Sequence, residues 1–204
     1  MTLLAESPVI APASTPTSQV AIIVPVEHGG LLLERALHSV ALQTTRSWRL
    51  VLVAPPELTY DAWAAIATLP WDCRSRMRVV PTDGRPAAVS GAAATDAPYI
   101  ATHHECDTWH PEFLQRAIGH LAIHPEQPGV HARSEEVTER LRGERFVPVS
   151  RTAPQHAAQE CGIGRVLRRE NLHEHHGDLA DLGAIAYTYH HRQAPPKRGL
   201  FHRA

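Results

Sequence analysis

Tyr99-Ile-Ala-Thr-His-His-Glu-Cys-Asp-Thr-Trp-His-Pro-Glu-Phe-Leu114 is the stretch on which the reading of this chain turns. It ends an apolar, β-prone run, crosses a polar turn and opens an amphipathic helix. A buried strand feeding such a helix is the building unit of an α/β domain. Ligands in these domains gather beyond the carboxyl ends of the strands, so chemistry is expected in the turn at 103–108.

The same alternation is legible upstream. Val20-Ala-Ile-Ile-Val-Pro25 is a continuous apolar run rich in β-branched residues, as expected of a strand buried on both faces of a parallel sheet. Glu27-His28-Gly29-Gly30 turns the chain, and over 31–42 the residues Leu33, Leu37, Val40 and Ala41 recur at helical spacing. A second strand is predicted at 48–53, stopped by Pro55-Pro56, a helix over 59–69, a third strand at 76–81, an Ala-rich helix over 86–95 and a fourth strand at 99–102. After a helix over about 111–124, 128–132 reads as a strand and 137–145 as a charged hairpin or short helix. The segment 165–172 reads as a strand passing into a helix, and 184–189 as a strand; 151–161 gives no clear pattern. Strands alternating with helices imply right-handed βαβ crossovers and a single α/β, Rossmann-like domain with a mostly parallel sheet. Its expected span is 19–192, between a Pro-, Ser- and Thr-rich leader at 1–18, expected to be disordered, and a flexible tail at 193–204.

Composition narrows the function classes. With 20 Lys and Arg against 21 Asp and Glu, the net charge of −1 calls for neither nucleic acid nor an anionic membrane. The three cysteines, Cys73, Cys106 and Cys161, are widely spaced with no Cys-x-x-Cys, which argues against a disulfide scaffold or zinc ribbon and makes a reducing cytoplasm the simplest home. No stretch approaches the ~18 consecutive apolar residues of a spanning helix. The unusual count is 15 histidines, clustered at 103–104, 173–176 and 190–191, which raises metal binding or pH sensitivity.

Three blocks in order, Ala21-Ile-Ile-Val-Pro-Val26, Leu33-Glu-Arg-Ala-Leu-His-Ser-Val-Ala-Leu-Gln-Thr44 and Trp109-His-Pro-Glu-Phe-Leu114, resemble the family-two inverting glycosyltransferases of the GT-A fold. The likeness covers about 19–133. It implies a GT-A-like domain, a sugar-nucleotide ligand, and a divalent metal (Mn, Mg or Zn) held by an Asp-x-Asp between Thr102 and Trp109. Those two Asp positions fall on His104 and Cys106, so the candidate metal ligands are His104, Glu105, Cys106 and Asp107. Imidazole, thiolate and carboxylate together suit a late transition metal better than magnesium. The candidate nucleotide contacts are Val26 and Glu27 in the first turn, Glu57 after the second strand and Gly91 before the fourth.

Elsewhere the pattern departs from the family. The acidic pair expected after the second strand is replaced by Ala54 and Pro55, neither able to accept a side-chain hydrogen bond. An Arg and an Asn expected before the metal strand fall on Ala88 and Val89, which lack the charge-assisted contacts a diphosphate needs. Arg168-Arg-Glu170 resembles the family's segment ahead of the general base, leaving Asp178 and Asp181 as candidate bases. Several losses around one ligand imply a pseudo-glycosyltransferase acting as a binding or partner subunit, with a protein partner or homo-oligomer. Two alternatives stay open: an active divergent inverting transferase using a sugar nucleotide, with Asp181 or a nearby histidine as base, and a metal-binding protein on the same scaffold.

Overall fold

Strand β1 (Val20–Pro25) is the centre of the molecule, and nearly every side chain along it is fully buried. The computed structural model describes residues 19–143, 145–155, 164–172 and 179–192; the leader, the tail and Asp178 lie outside them. Two apolar layers explain the unbroken run in β1. Val20, Ile22 and Val24 point into one core with α1 (Gly30–Ala41), α2 (Thr59–Ala67) and α5 (Phe113–Ile123), while Ala21 and Ile23 point into a second. That second core is closed by α4 (Ala87–Ala93) and Leu172. Both faces of the sheet are therefore dry, the condition under which a parallel strand reads as continuous rather than alternating.

Strands β2 (Trp48–Ala54), β3 (Met77–Pro81) and β4 (Tyr99–Thr102) complete a parallel block ordered β3-β2-β1-β4. The short α3 (Trp71–Arg74) leads into β3. Gly91 lies where α4 crosses β1, and a Cβ there would meet Ile23 Cγ2 at 2.6 Å. Its hydrogen side chain lets helix and sheet approach, a packing role where the family resemblance implied a nucleotide contact.

Beyond β4 the sheet becomes mixed. Strand β8 (Arg165–Arg168) runs antiparallel between β4 and β6 (Gly129–Arg142), and β9 (Ala180–Arg192) runs parallel to β6. β6 is far longer than the predicted five-residue strand. It continues beside β9 and forms a hairpin with β7 (Arg145–Gln155), so the charged segment is a hairpin whose return strand ends in the patternless 151–155. The two-residue β5 (Thr108–Trp109) pairs with Tyr187 and Thr188 of β9, which draws the polar turn beneath this extension. None of the described helices is long and apolar enough to cross a membrane.

Candidate functional site

The carboxyl ends of β1 and β4 face one another, and the turns that leave them are locked together by one side chain. Glu105 is completely buried. Its Oε2 accepts the backbone N–H groups of Glu27 and Gly29, each at 3.1 Å, and its Oε1 accepts from His28 Nδ1 at 2.7 Å. Glycines make this turn possible. Gly29 and Gly30 both have positive φ, and a Cβ on Gly29 would meet Asp61 Cβ at 2.9 Å. The Glu105 carboxylate sits at the N-terminus of α1, where free N–H groups and the helix dipole favour a negative charge.

A second polar network fastens the other side of the turn. Asp107, also fully buried, accepts the His190 N–H at 3.0 Å through Oδ1. The His190 ring spans from Thr108 Oγ1, 3.0 Å from Nε2, to Glu139 Oε1, 2.9 Å from Nδ1. Burial, with the Arg35 charge adding to it, holds the His190 imidazole below its ordinary value. Arg35 closes the network by donating to Glu139 Oε2 at 2.6 Å and to the Cys106 carbonyl at 2.7 Å. A buried charge costs several kcal/mol unless paired, and Glu139 has its counter-charge in Arg35.

Of the predicted metal ligands, His104 and Asp107 come close to one another, while Glu105 belongs to the other network. His104 Nδ1 lies 3.7 Å from Asp107 Oδ2, but that same nitrogen accepts the Cys106 N–H at 3.2 Å. Cys106 is buried. Magnesium and manganese need several hard oxygens with open lone pairs, whereas here the buried Asp107 is the one carboxylate among these three residues, beside the His104 imidazole. The residues at 104, 106 and 107 do not fit such an ion. What the fold brings together instead is Glu27, His28 and Glu105, one ligand atom from each lying within 4.8 Å of the others.

The other candidates are scattered. Val26 is buried and its N–H bonds the Val53 carbonyl, while Glu57 is exposed in a 3-10 turn after Pro55. Asp181 pairs with Arg133 Nη2 at 2.9 Å and accepts the Gly183 N–H at 2.7 Å. Burial pushes the Asp181 carboxyl up, but these partners hold it below the usual carboxylate range. It is level with His131 on β6, three strands from β4, or about 14 Å at ordinary strand spacing. Sequence reasoning missed His28, Arg35, Glu139 and His190 as parts of the site. His28, Arg35 and His190 meet the turn across 71–83 residues of chain, and Glu139 joins it through Arg35 and His190, at separations no local pattern reveals.

With its parallel β3-β2-β1-β4 block and mixed flank, the chain is similar in fold to solved structures of S. aureus TarS, a GT-A family-2 glycosyltransferase. TarS 1–349 in complex with UDP-GlcNAc matches with a TM-score of 0.59 and 12% identity, over 87% of this chain and 60% of that one. A second TarS structure gives 0.57 and 14%, over 84% and 36%. The chain has a GT-A-like glycosyltransferase fold. It spans no more than 60% of the length of these TarS chains. No protein-family model and no curated protein sequence matches it. In this GT-A-like frame the polar turn after β4 and the β1–α1 turn lie side by side at the carboxyl edge, and Glu105 fills the space between them.

Proposed function

We propose that this GT-A-like domain is a pseudo-glycosyltransferase, a binding or partner subunit that does not carry out metal-dependent sugar transfer. The observation that carries the reading is the Glu105 carboxylate, wholly buried and bonded to the Glu27 and Gly29 N–H groups. It occupies the anion-accepting end of α1 with an internal acid. Ala54, Pro55, Ala88 and Val89 at the surrounding positions offer no side-chain hydrogen bond or charge to a nucleotide. Each missing contact to a charged ligand is worth about 1.5–3 kcal/mol, and a micromolar affinity is about 8 kcal/mol in all, so losing several leaves millimolar binding or weaker. The partner is a protein or a second copy of this chain, and the cytoplasm is the proposed compartment.

Calorimetry with UDP-GlcNAc and manganese tests this. No heat beyond dilution is expected at ligand concentrations up to about a millimolar. A micromolar dissociation constant would overturn the proposal and restore the active divergent transferase.

A further inference from the structure

Glu27 and His28 are exposed while Glu105 is buried, yet their ligand atoms share one small space at the mouth of the carboxyl edge. We propose that these three residues form a binding site for a late divalent transition metal, zinc in the first instance, separate from the positions at 104, 106 and 107. Two backbone N–H bonds fix Glu105 through Oε2, which leaves Oε1 aimed outward at His28 Nδ1, 2.7 Å away. That oxygen is thus preorganised as a ligand, and only the exposed Glu27 and His28 side chains have to adjust.

The donor set is one imidazole and two carboxylates, the type that zinc takes with three protein ligands and an open fourth position. Magnesium, which demands six near-ideal oxygen positions, is excluded by the same set. Zn–N and Zn–O bonds of about 2.0–2.2 Å at a tetrahedral angle put the two ligand atoms about 3.4 Å apart. The cation would take the place of the proton on His28 Nδ1 after a shift of about 0.7 Å, and the neutral imidazole would carry that one proton on Nε2 instead, through exchange with solvent. The N-terminus of α1 opposes a cation by about 0.3–1 kcal/mol, a small term against two carboxylates whose mutual repulsion the metal relieves.

Equilibrium dialysis of the untagged chain against zinc chloride near neutral pH, with cobalt absorption as a second readout, decides the matter. Because other histidines also take zinc, the difference between variants is what counts. The wild type is expected to hold one more equivalent at micromolar zinc than His28→Ala, with Glu27→Gln weakened at least about tenfold and His104→Ala unchanged. Cobalt should give visible bands in the wild type that His28→Ala lacks, while the urea midpoint of His28→Ala confirms an intact fold. Equal stoichiometry in the wild type and His28→Ala, loss of the equivalent in His104→Ala instead, or no zinc in the wild type would each overturn the site. Zinc uptake and UDP-GlcNAc binding are read independently, so either reading can fail alone.

Discussion

Replacing Glu105 separates the electrostatic from the steric part of what holds the two turns together. Glu105→Gln keeps the shape, and its amide oxygen still accepts from the Glu27 and Gly29 N–H groups, but each bond changes from charge-assisted to neutral. Charge roughly doubles such a bond, so about 1.5–3 kcal/mol should be lost over the two. Glu105→Ala removes the acceptor altogether and leaves the buried Gly29 N–H without its partner, a cost of about 3–6 kcal/mol. Since a domain of ordinary stability has about 5–15 kcal/mol in total, the alanine variant should be close to unfolding at ambient temperature. Urea unfolding near pH 7.5, with m held constant across the series, measures both losses. An alanine variant with the wild-type midpoint would refute the argument, because the carboxylate would then hold nothing.

Two further perturbations test the packing around the site. Burial lowers the His103 imidazole from 6.5 to about 3, so the unfolded chain takes up a proton that the folded chain refuses. Stability from this group is complete above pH 6.5 and falls as pH drops toward 3, by about 2 kcal/mol already at pH 5; His103→Phe, which keeps a ring against Trp109, should flatten that part of the urea-midpoint profile, and an unchanged slope would contradict the burial argument. A Cβ on Gly129 would lie 2.7 Å from the Val166 carbonyl oxygen, so Gly129→Ala must separate β6 from β8 and should cost about 1–3 kcal/mol in thermal unfolding, with a neutral result counting against the register described.

The parallel half of the fold was legible because its elements announce themselves locally. The run 20–25 is apolar on both faces, Leu33, Leu37 and Val40 share one helical face, and proline pairs stop the second strand. The mixed half was not, for two physical reasons. β6 bears many charged residues and β9 is interrupted by Gly183, so both carry weak periodicity. Their pairing also depends on partners about 50 residues away, as Val130 with Ala180. At the site, the turn at 103–108 was found, but the direction of its side chains was not. A sequence that places Glu105 and Asp107 in a polar turn reads as an open ligand site, whereas the fold buries both and turns them on the backbones of Gly29 and His190. Only contacts closed in three dimensions distinguish an acid that faces a cleft from one that fastens a loop.

The joining of β5 to β9 has a consequence for synthesis. Asp107 leaves the ribosome 83 residues ahead of His190, which at about 5–20 residues per second is a wait of about 4–17 s. Through that interval β1, β2, β3 and β4 are all available, and the parallel block can assemble around α1 and α2. Asp107 and Thr108, however, have no strand to pair with, and Arg35 has Glu139 but no closing imidazole until the last long strand emerges. A nascent chain halted before residue 187 should therefore bury its sheet and close the Glu105 side of the turn, whose partners precede it, yet leave the Asp107 side open to solvent and proteolysis.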